Sequence, residues 1–346
     1  MVQLTEVTER FAEAAGCDTL YLVTDEASGL HAYIALHTLE RGPGYGGVRR
    51  RVFPDVHAAV HEVVGLAEQM TLKTAFAGLP AGGAKGVILD RPDGHTAEDT
   101  RARYRAFGTA IEMLGGTFFA GPDVGTSENE LAVLRETTCY VSTVEAHPSR
   151  STAIGVVAGC RAAMAHLALD PATMSAAVVG VGSVGSEVAR RLAALGMRLV
   201  ISDIVPARVE AVAAELGAAI AAPDAVPDAD LLVPCALGNI VTAANLGALR
   251  ARVICGAANH QLETTTLAHD LEAMDILYVP DFAANAGAVI EGVLRRTAPA
   301  GADVEALVAA ALDAIGERTS RMLALAEEAD ITPLEAALMM IDEGQP

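Results

Sequence analysis

The chain has 346 residues, 52% of them hydrophobic, and a formal charge of −20 at pH 7. That length allows two domains with separate cores, and the composition is typical of a globular protein rather than a disordered one. An acidic balance disfavours the basic surface that nucleic acid and anionic membranes bind, so we expect neither as a partner.

The first 140 residues are predicted to form one α/β domain. The strands are rich in β-branched and aromatic residues, and the helices carry apolar residues at helical spacing. The predicted elements, in chain order, are an N-terminal helix, strands at 19–25 and 30–39, a glycine-rich turn at 41–47, a helix at 56–70, a strand at 86–90, a helix at 98–114 and a strand at 117–126.

A polar connection marks the boundary to a second predicted domain, residues 141–317. After a helix at 152–167, apolar strands alternate with helical or polar segments. Such alternation predicts a doubly wound parallel sheet covered by helices on both faces. The end of the chain is helical, and we expect part of residues 318–346 to pack back on the first domain. The predicted strands are 176–182, 198–203, 229–234, 251–257 and 275–280.

The chain contains only two lysines, Lys73 and Lys85, and both lie in the segment 70–90. A guanidinium stays charged at any working pH, whereas a buried lysine near a second cation loses its proton more readily and then acts as a base. The alternative is a compositional bias that left two lysines by chance, but chance would scatter the pair. We therefore interpret this segment as a candidate active site.

The motif Gly180-Val181-Gly182-Ser183-Val184-Gly185 matches the dinucleotide fingerprint GxGxxG, with a predicted strand before it and a helix after it. Its glycines allow the tight turn, the approach of backbone to the pyrophosphate and the packing of helix on strand. Asp203 ends the next strand, where an acid binds the adenosine ribose and repels a 2′-phosphate. The series predicts an NAD site; the alternative is a glycine-rich turn with no ligand.

Three further polar residues have both a structural and a functional interpretation. Asp123 lies in a glycine-bounded loop after a strand, where acids usually form turns. Asn259 follows a predicted strand and Asn285 opens a predicted helix, so each is also a candidate helix cap. The residues alone leave these alternatives open.

Histidines and cysteines do not predict a metal site. His57, His61 and Glu62 have the order HxxxHE rather than HExxH, so we interpret them as an exposed helix face. The five cysteines are odd in number and form no CxxC pair, which indicates reduced thiols. Together with an acidic N-terminus and no long apolar run, this predicts a cytoplasmic protein.

Several separated motifs together resemble the amino-acid dehydrogenases that act on glutamate, leucine, valine or phenylalanine, and most closely the leucine/valine/phenylalanine branch. The resemblance implies a first domain for substrate binding and oligomerisation, a Rossmann-type NAD domain, an active site in the cleft between them, and a homo-oligomer. The motifs are GPGYGGVR (42–49), MTLKTAFAGLPAGGAKGVI (70–88), PDVGT (122–126), TAIGV (152–156), GVGSVG (180–185), PCALG (234–238), GAANHQL (256–262) and PDFAANAGAVI (280–290).

The resemblance also implies roles for individual positions. Lys73 corresponds to the lysine that binds the substrate α-carboxylate, and Lys85 to the catalytic lysine that activates water. Asp123 corresponds to the acid that moves protons to and from the substrate nitrogen. The further cofactor positions are Thr152, Ile204, Cys235, Ala236, Asn259 and Asn285.

The implied substrate pocket departs from the family pattern. Tyr45 replaces the lysine typical of glutamate enzymes, which argues against a γ-carboxylate in the substrate. Gly121 and Gly292 are smaller than the residues typical of leucine enzymes, and a larger pocket with a tyrosine to stack on predicts a bulky or aromatic side chain. The implied pocket positions are Tyr45, Gly46, Gly47, Gly121, Val289 and Gly292.

The sequence thus predicts an enzyme that reversibly converts an L-amino acid, NAD⁺ and water to the 2-oxo acid, ammonium and NADH. One alternative is another two-domain NAD(P) dehydrogenase that acts on a hydroxy acid, which would release no ammonium. A second alternative is a non-catalytic NAD-sensing protein of the same fold. Retention of both lysines argues against the second, because sensing NAD does not require them.

Overall fold

The computed structural model describes residues 1–143, 145–223, 225–236 and 238–344. The chain divides into two compact units. The first unit consists of Met1–Ala146 and Arg295–Thr297, and the second consists of His147–Leu294 and Ala298–Pro346.

The first unit is built on a mixed six-stranded sheet with the order β1-β2-β3-β5-β4-β6. Strands β1, β2, β3 and β5 pair antiparallel, whereas β4 runs parallel to both β5 and β6. The elements are β1 (Gln3–Glu6), β2 (Thr19–Asp25), β3 (Leu30–Thr38), β4 (Gly44–Val52), α1 (Val56–Phe76), β5 (Gly82–Asp90), α2 (Ala97–Met113), β6 (Phe118–Gly121) and α3 (Glu128–Leu134).

Alternation along the strands separates two cores in this unit. Val87 of β5 and Tyr33 of β3 belong to a cluster with the apolar residues of α1. Ile88 and Ile34, one residue further on, belong to a second cluster with Phe107 and other residues of α2. Because successive side chains of a strand point to opposite faces, α1 covers one face of the sheet and α2 the other.

Two predictions for this unit are wrong. The predicted N-terminal helix is instead the edge strand β1 followed by two single 3₁₀ turns, Thr8–Arg10 and Ala12–Ala14. Pairing with β2 satisfies its backbone, and Leu4 packs on the core, whereas so short a helix has little stability of its own. The second half of the predicted glycine-rich turn is instead the start of strand β4, because it pairs with β5 and β6. Its glycines allow close pairing: a Cβ at Gly46 would lie 1.6 Å from Ala84 O.

The second unit contains the predicted parallel sheet, in the order β12-β11-β10-β7-β8-β9, with every pairing parallel. This confirms the predicted doubly wound α/β class. The elements are α4 (Pro148–His166), β7 (Ser175–Val179), α5 (Ser183–Ala194), β8 (Arg198–Ser202), α6 (Pro206–Leu216), β9 (Ala219–Ile220), β10 (Leu231–Pro234), β11 (Val253–Ile254), α7 (Leu267–Glu272), β12 (Leu277–Tyr278), α8 (Asp281–Ala284), α9 (Gly287–Thr297), α10 (Val304–Ala329) and α11 (Pro333–Asp342).

Described residues of the C-terminal segment 318–344 belong to α10 and α11 of the second unit and the short tail after them. Helix α10 packs against α4, and α11 packs against α10 and β12, all within the second unit. The apolar face of α10, which includes Leu312, Ile315 and Met322, is buried there. Among the described helices, none combines the length and the apolar character needed to cross a membrane.

Close packing of β5 on α1 gives a test of the fold. A Cβ at Gly83 would lie 2.2 Å from the backbone N of Thr71 and 2.4 Å from the carbonyl of Ala67. We expect Gly83→Ala to lower the free energy of unfolding by about 2 kcal/mol or more, because strand and helix must separate. The measurement is urea unfolding followed by circular dichroism.

The matched control is Gly65→Ala, inside α1, where a Cβ would meet no described atom within 4 Å. This substitution should leave stability unchanged or raise it by about 0.5–1 kcal/mol, since alanine favours helix over glycine. Equal destabilisation by the two changes would contradict the packing.

Candidate active site

Strand β5 and helix α1 bring the two lysines to the same face of the first unit. Lys85 lies two residues before Val87, so it projects to the face that α1 covers. Lys73 lies in the last turns of α1, and the two elements touch at Thr71 and Gly83, each two residues before one of the lysines. Both lysines are buried, with 8% and 5% of Lys73 and Lys85 exposed.

Lys85 meets the predicted proton-transfer acid directly. Its Nζ lies 2.5 Å from Oδ2 of Asp123, and only 7% and 13% of the two side chains are exposed. Gly47 makes room for this pair, because a Cβ there would lie 2.9 Å from the Cβ of Asp123 and 3.2 Å from the Nζ of Lys85. The structure therefore joins two residues that are far apart in the sequence into one buried ion pair.

The loop that carries Asp123 is fixed by hydrogen bonds. Asp123 and Thr126 exchange backbone hydrogen bonds of 3.3 and 2.9 Å. The hydroxyl of buried Tyr104 lies 2.6 Å from the Thr126 hydroxyl and donates to the carbonyl of Gly125 over 2.9 Å. Arg50 of β4 donates its backbone N–H to Val124 O over 2.8 Å. These contacts hold the carboxylate in place without help from a ligand.

A second cation, Arg49 of β4, also holds Asp123. Its Nε and Nη2 donate to Oδ2 and Oδ1 of Asp123 over 3.2 and 3.1 Å, a two-pronged contact. Its remaining Nη1 donates to Oε1 of Glu62 on α1 over 2.8 Å. Glu62 is therefore a half-buried ion-pair partner and not part of an exposed helix face, whereas His57 is 70% exposed, as predicted.

The cations determine the charge of Asp123. Burial by itself raises the pKa of this carboxyl, since a desolvated carboxylate is costly. The Lys85 ammonium and the Arg49 guanidinium outweigh that effect and hold the pKa of Asp123 well below its ordinary value. Asp123 is thus an ionised acceptor at neutral pH.

The predicted substrate-pocket residues of the first unit lie on strands β4 and β6. Tyr45 pairs with Phe119 across the strands, and Gly47 pairs with Gly121. The ring of Tyr45 is buried and stacks on Phe119 with a centroid distance of 4.8 Å. A Cβ at Gly121 would have a single described neighbour within 4 Å, the carbonyl of Gly46 at 3.9 Å, so there is space beside this residue.

In the second unit, the GxGxxG residues form a tight turn between β7 and α5. Gly180 has φ +93°, and a Cβ at Gly185 would lie 1.8 Å from Gly180 O, so both positions need glycine. At Gly182 a Cβ would approach only Arg208 Nη1, at 3.9 Å, among the described atoms. Gly182 is also the N-cap of α5. Because glycine has no side chain to cover the N–H groups of the first turn, this helix end suits a phosphate.

Asp203 lies at the end of β8 beside this turn. Its Oδ2 accepts the backbone N–H of Val181 over 2.9 Å, and its Oδ1 that of Val205 over 3.0 Å. Arg208 adds an ion pair at 3.1 Å. Although burial raises the pKa of Asp203, these hydrogen bonds and the arginine lower it overall, so the carboxylate is ionised. Ile204, which follows it, is 83% exposed.

The remaining predicted cofactor residues lie at two places in the second unit, around Asn285 and beside the glycine turn. Asn285 donates through Nδ2 to Ala257 O and to Asn259 Oδ1, both over 3.1 Å. Its own Oδ1 is buried without a hydrogen-bond partner in the described part of the chain, which suits an atom that binds a ligand. Cys235 and Ala236 stand beside the glycine turn, in contact distance of Gly185 and Gly180.

Buried Glu291 fixes the start of α4, the helix that carries Thr152. Its carboxylate accepts the backbone N–H of His147 over 3.0 Å and the hydroxyl of Ser151 over 2.7 Å. Val289, on the same helix as Glu291, is buried, and a Cβ at Gly292 would meet no described atom within 4 Å. Leu237 of the motif PCALG lies outside the described residues.

Two family models match the chain. The model described as Glu/Leu/Phe/Val dehydrogenase, dimerisation domain, matches residues 19–140, and that of Glutamate/Leucine/Phenylalanine/Valine dehydrogenase matches residues 207–297. Leucine dehydrogenase of Bacillus subtilis (strain 168) is 36% identical over 81% of this chain and 79% of its own length. The chain belongs to the Glu/Leu/Phe/Val dehydrogenase family.

Further members of this family are similar over most of their length. Valine dehydrogenase of Streptomyces coelicolor is 34% identical over 81% of this chain and 80% of its own. The crystal structure of L-tryptophan dehydrogenase from Nostoc punctiforme has a TM-score of 0.78 and 30% identity, and the match covers 95% of this chain and 96% of that one. These matches confirm the predicted family and its leucine/valine branch.

Three charged residues with structural roles are not predicted from the sequence: Arg49 and Glu62 beside Asp123 in the first unit, and Glu291 at the start of α4 in the second. Arg49 lies inside the motif GPGYGGVR, but a role for it becomes visible only through its contact with Asp123. Glu62 looked like part of a solvated helix face, and Glu291 lies in an apolar helix with nothing in the sequence to indicate its partners. All three are defined by contacts between residues far apart in the chain.

Proposed function

We propose that this protein is an NAD-dependent dehydrogenase of hydrophobic L-amino acids, which it converts to 2-oxo acids with release of ammonium. The observation that carries the proposal is the buried 2.5 Å contact between Lys85 Nζ and Asp123 Oδ2. Oxidative deamination needs a base that deprotonates water and a carboxylate that takes and returns protons of the substrate nitrogen, and this contact places one candidate for each side by side. Membership of the amino-acid dehydrogenase family supports the same reaction.

In this proposal each charged residue has one task. Lys73 binds the substrate α-carboxylate, while Asp123 takes a proton from the substrate ammonium. When bound, the nicotinamide accepts a hydride from the substrate Cα. Lys85, after releasing its own proton to solvent, removes a proton from the water that attacks the resulting imine carbon, and Asp123 returns to the nitrogen the proton that it took from the substrate ammonium. The nitrogen leaves as ammonium, and the carbon becomes the 2-oxo group, so that substrate, NAD⁺ and water give oxo acid, ammonium, NADH and one proton.

Substitution of the two lysines tests these tasks. We expect Lys85→Ala and Lys85→Arg to lower kcat by about 10²-fold or more, because neither side chain can deprotonate water at working pH. Lys73→Ala should mainly raise KM, by roughly tenfold or more, whereas Lys73→Arg should keep part of the binding because it keeps the charge. Steady-state NAD⁺ reduction over a panel of L-amino acids gives both constants. Equal, mild effects at both positions would contradict the assignment.

The proposed cofactor is NAD rather than NADP. Gly182 and the start of α5 would hold the phosphates, Asp203 the adenosine ribose, and Thr152, Asn259 and Asn285 the nicotinamide end. The buried carboxylate of Asp203 disfavours a 2′-phosphate, while Arg208, paired to it at 3.1 Å, lessens that repulsion. These charges predict that the protein prefers NAD to NADP and that Arg208 makes this preference smaller.

Binding of reduced cofactors tests this preference without turnover. NADH should bind more tightly than NADPH, and Asp203→Ala should narrow the gap by roughly tenfold, equivalent to about 1.4 kcal/mol. Arg208→Ala should widen the gap between the two dissociation constants, because a 2′-phosphate beside Asp203 would lose the cation that is paired with this carboxylate. Titration followed by nicotinamide fluorescence gives the dissociation constants. Arg190→Ala, which removes another paired surface arginine of the same unit, should change neither constant.

The proposed substrates carry bulky or aromatic side chains. Space beside Gly121 and Gly292 supports this, as does similarity to an L-tryptophan dehydrogenase.

The proposed assembly is a homo-oligomer. The family model that matches residues 19–140 of the first unit is described as a dimerisation domain, which supports this proposal.

Gly121→Ala tests the pocket. The added methyl group should lower kcat/KM for phenylalanine and tryptophan relative to leucine by roughly 10-fold or more, in line with about 1–3 kcal/mol per methylene-sized change. Gly65→Ala, in the middle of α1, should leave the ratio unchanged. Turnover of leucine or valine far above that of phenylalanine and tryptophan by the unmodified protein would overturn the aromatic proposal.

A further inference from the structure

The carboxylate of Asp123 accepts a full set of hydrogen bonds. Oδ1 accepts Val124 N over 2.7 Å and Arg49 Nη2 over 3.1 Å. Oδ2 contacts Lys85 Nζ at 2.5 Å and accepts Arg49 Nε over 3.2 Å. An ionised carboxylate has about four lone-pair positions, so these four donors fill it. A substrate ammonium can bind Asp123 only if it replaces one of them.

The four donors differ in how easily they are replaced. Lys85 makes one contact through a flexible four-carbon side chain, whereas Arg49 makes two parallel contacts through a rigid planar fork. Two simultaneous bonds are harder to break than one, and the single Val124 N–H belongs to the loop backbone next to Asp123, so Lys85 is the donor that is displaced most easily. Once displaced from Asp123, the Lys85 side chain is available to contact water.

Arg49 is itself held from a different element. Its Nη1 donates to Glu62 on α1, and only 15% of the Arg49 side chain and 20% of that of Glu62 are exposed. Arg51, two residues further along β4, contacts the other oxygen of Glu62 at 3.4 Å from a more exposed position. The guanidinium therefore links helix α1 to the loop of Asp123 and has little freedom to turn.

We propose that Arg49 is a positioning residue that clamps both oxygens of Asp123, with Glu62 as its anchor, so that substrate displaces Lys85 and not the clamp. The proposal rests on the proposed function for the tasks of Lys85 and Asp123. The Arg49 guanidinium keeps its proton during the whole reaction. Its positive charge therefore stays constant while Asp123 exchanges protons with the substrate nitrogen and Lys85 with water. This distinguishes Arg49 from the two lysines.

Lysine acylation tests the clamp without catalysis. The chain has only two lysines, so mass spectrometry resolves the acetylation of Lys85 by acetic anhydride from that of Lys73, the internal reference. In Arg49→Met, Lys85 becomes the sole side-chain cation on Asp123 and should bind it more firmly. We expect its acetylation to slow by about tenfold, with Lys73 unchanged, because an ammonium held more firmly in an ion pair must leave that pair before its nitrogen can react. Arg105→Met removes a paired, 48% exposed arginine of α2 in the same unit and should change neither rate.

Turnover provides the second measurement. Arg49→Met should lower kcat by roughly 10- to 100-fold with KM near that of the unmodified protein, because a carboxylate that is no longer aimed transfers protons less efficiently. Arg49→Lys, which restores the charge but not the fork, should recover only part of kcat. Matching circular dichroism spectra and unfolding midpoints establish that the variants are folded.

The outcomes separate the clamp from the proposed function. If the acetylation of Lys85 and kcat both stay unchanged in Arg49→Met, or if Arg105→Met has the same effects, the clamp is wrong while the proposed function stands. If acetylation of Lys85 slows as expected but the unmodified protein oxidises no amino acid, the clamp stands and the proposed function fails.

Discussion

The carboxylate of Asp123 is the constraint on which the rest of the first unit's site depends. It is buried, and a buried carboxylate is tolerated only when cations and N–H groups surround it. Two neighbouring strands supply the cations Lys85 and Arg49, and its own loop supplies the N–H of Val124. Each of these elements must therefore be accurately placed for the charge to be stable.

Glycine makes this convergence possible. A side chain at Gly47 would occupy the space of the Lys85–Asp123 pair, and a side chain at Gly83 would push β5 away from α1. With glycine at both positions, the alternating side chains of β5 place Lys85 on the α1 face, where Lys73 also lies. Glycine at positions 47 and 83 is thus required by the charged site and not only by a turn.

The two units illustrate different degrees of predictability from sequence. In the second unit, strand, GxGxxG turn, helix and Asp203 follow one another along the chain, so local pattern alone predicted the arrangement that the structure has. In the first unit the lysines stood out because there are only two, and the resemblance supplied Asp123. Arg49 and Glu62 escaped notice, because a chain with many arginines and acids gives no local sign of which pair will meet.

The wrong structural predictions have a similar origin. The N-terminal segment was predicted helical from its local composition, yet pairing with β2 makes it the edge strand β1. The segment 41–47 was predicted to be a glycine-rich turn, yet pairing with β5 and β6 makes its second half the start of strand β4. In each case a contact distant in sequence overrides what the local residues favour.

Whether the buried lysine and aspartate deaminate an amino acid is measured most directly by the stoichiometry of the reaction. Purified protein is incubated with NAD⁺ and a hydrophobic L-amino acid, and NADH and ammonium are quantified in the same sample. NADH and ammonium should form in equal molar amounts. Formation of NADH from a hydroxy acid without ammonium, or no NADH with any amino acid, would contradict it.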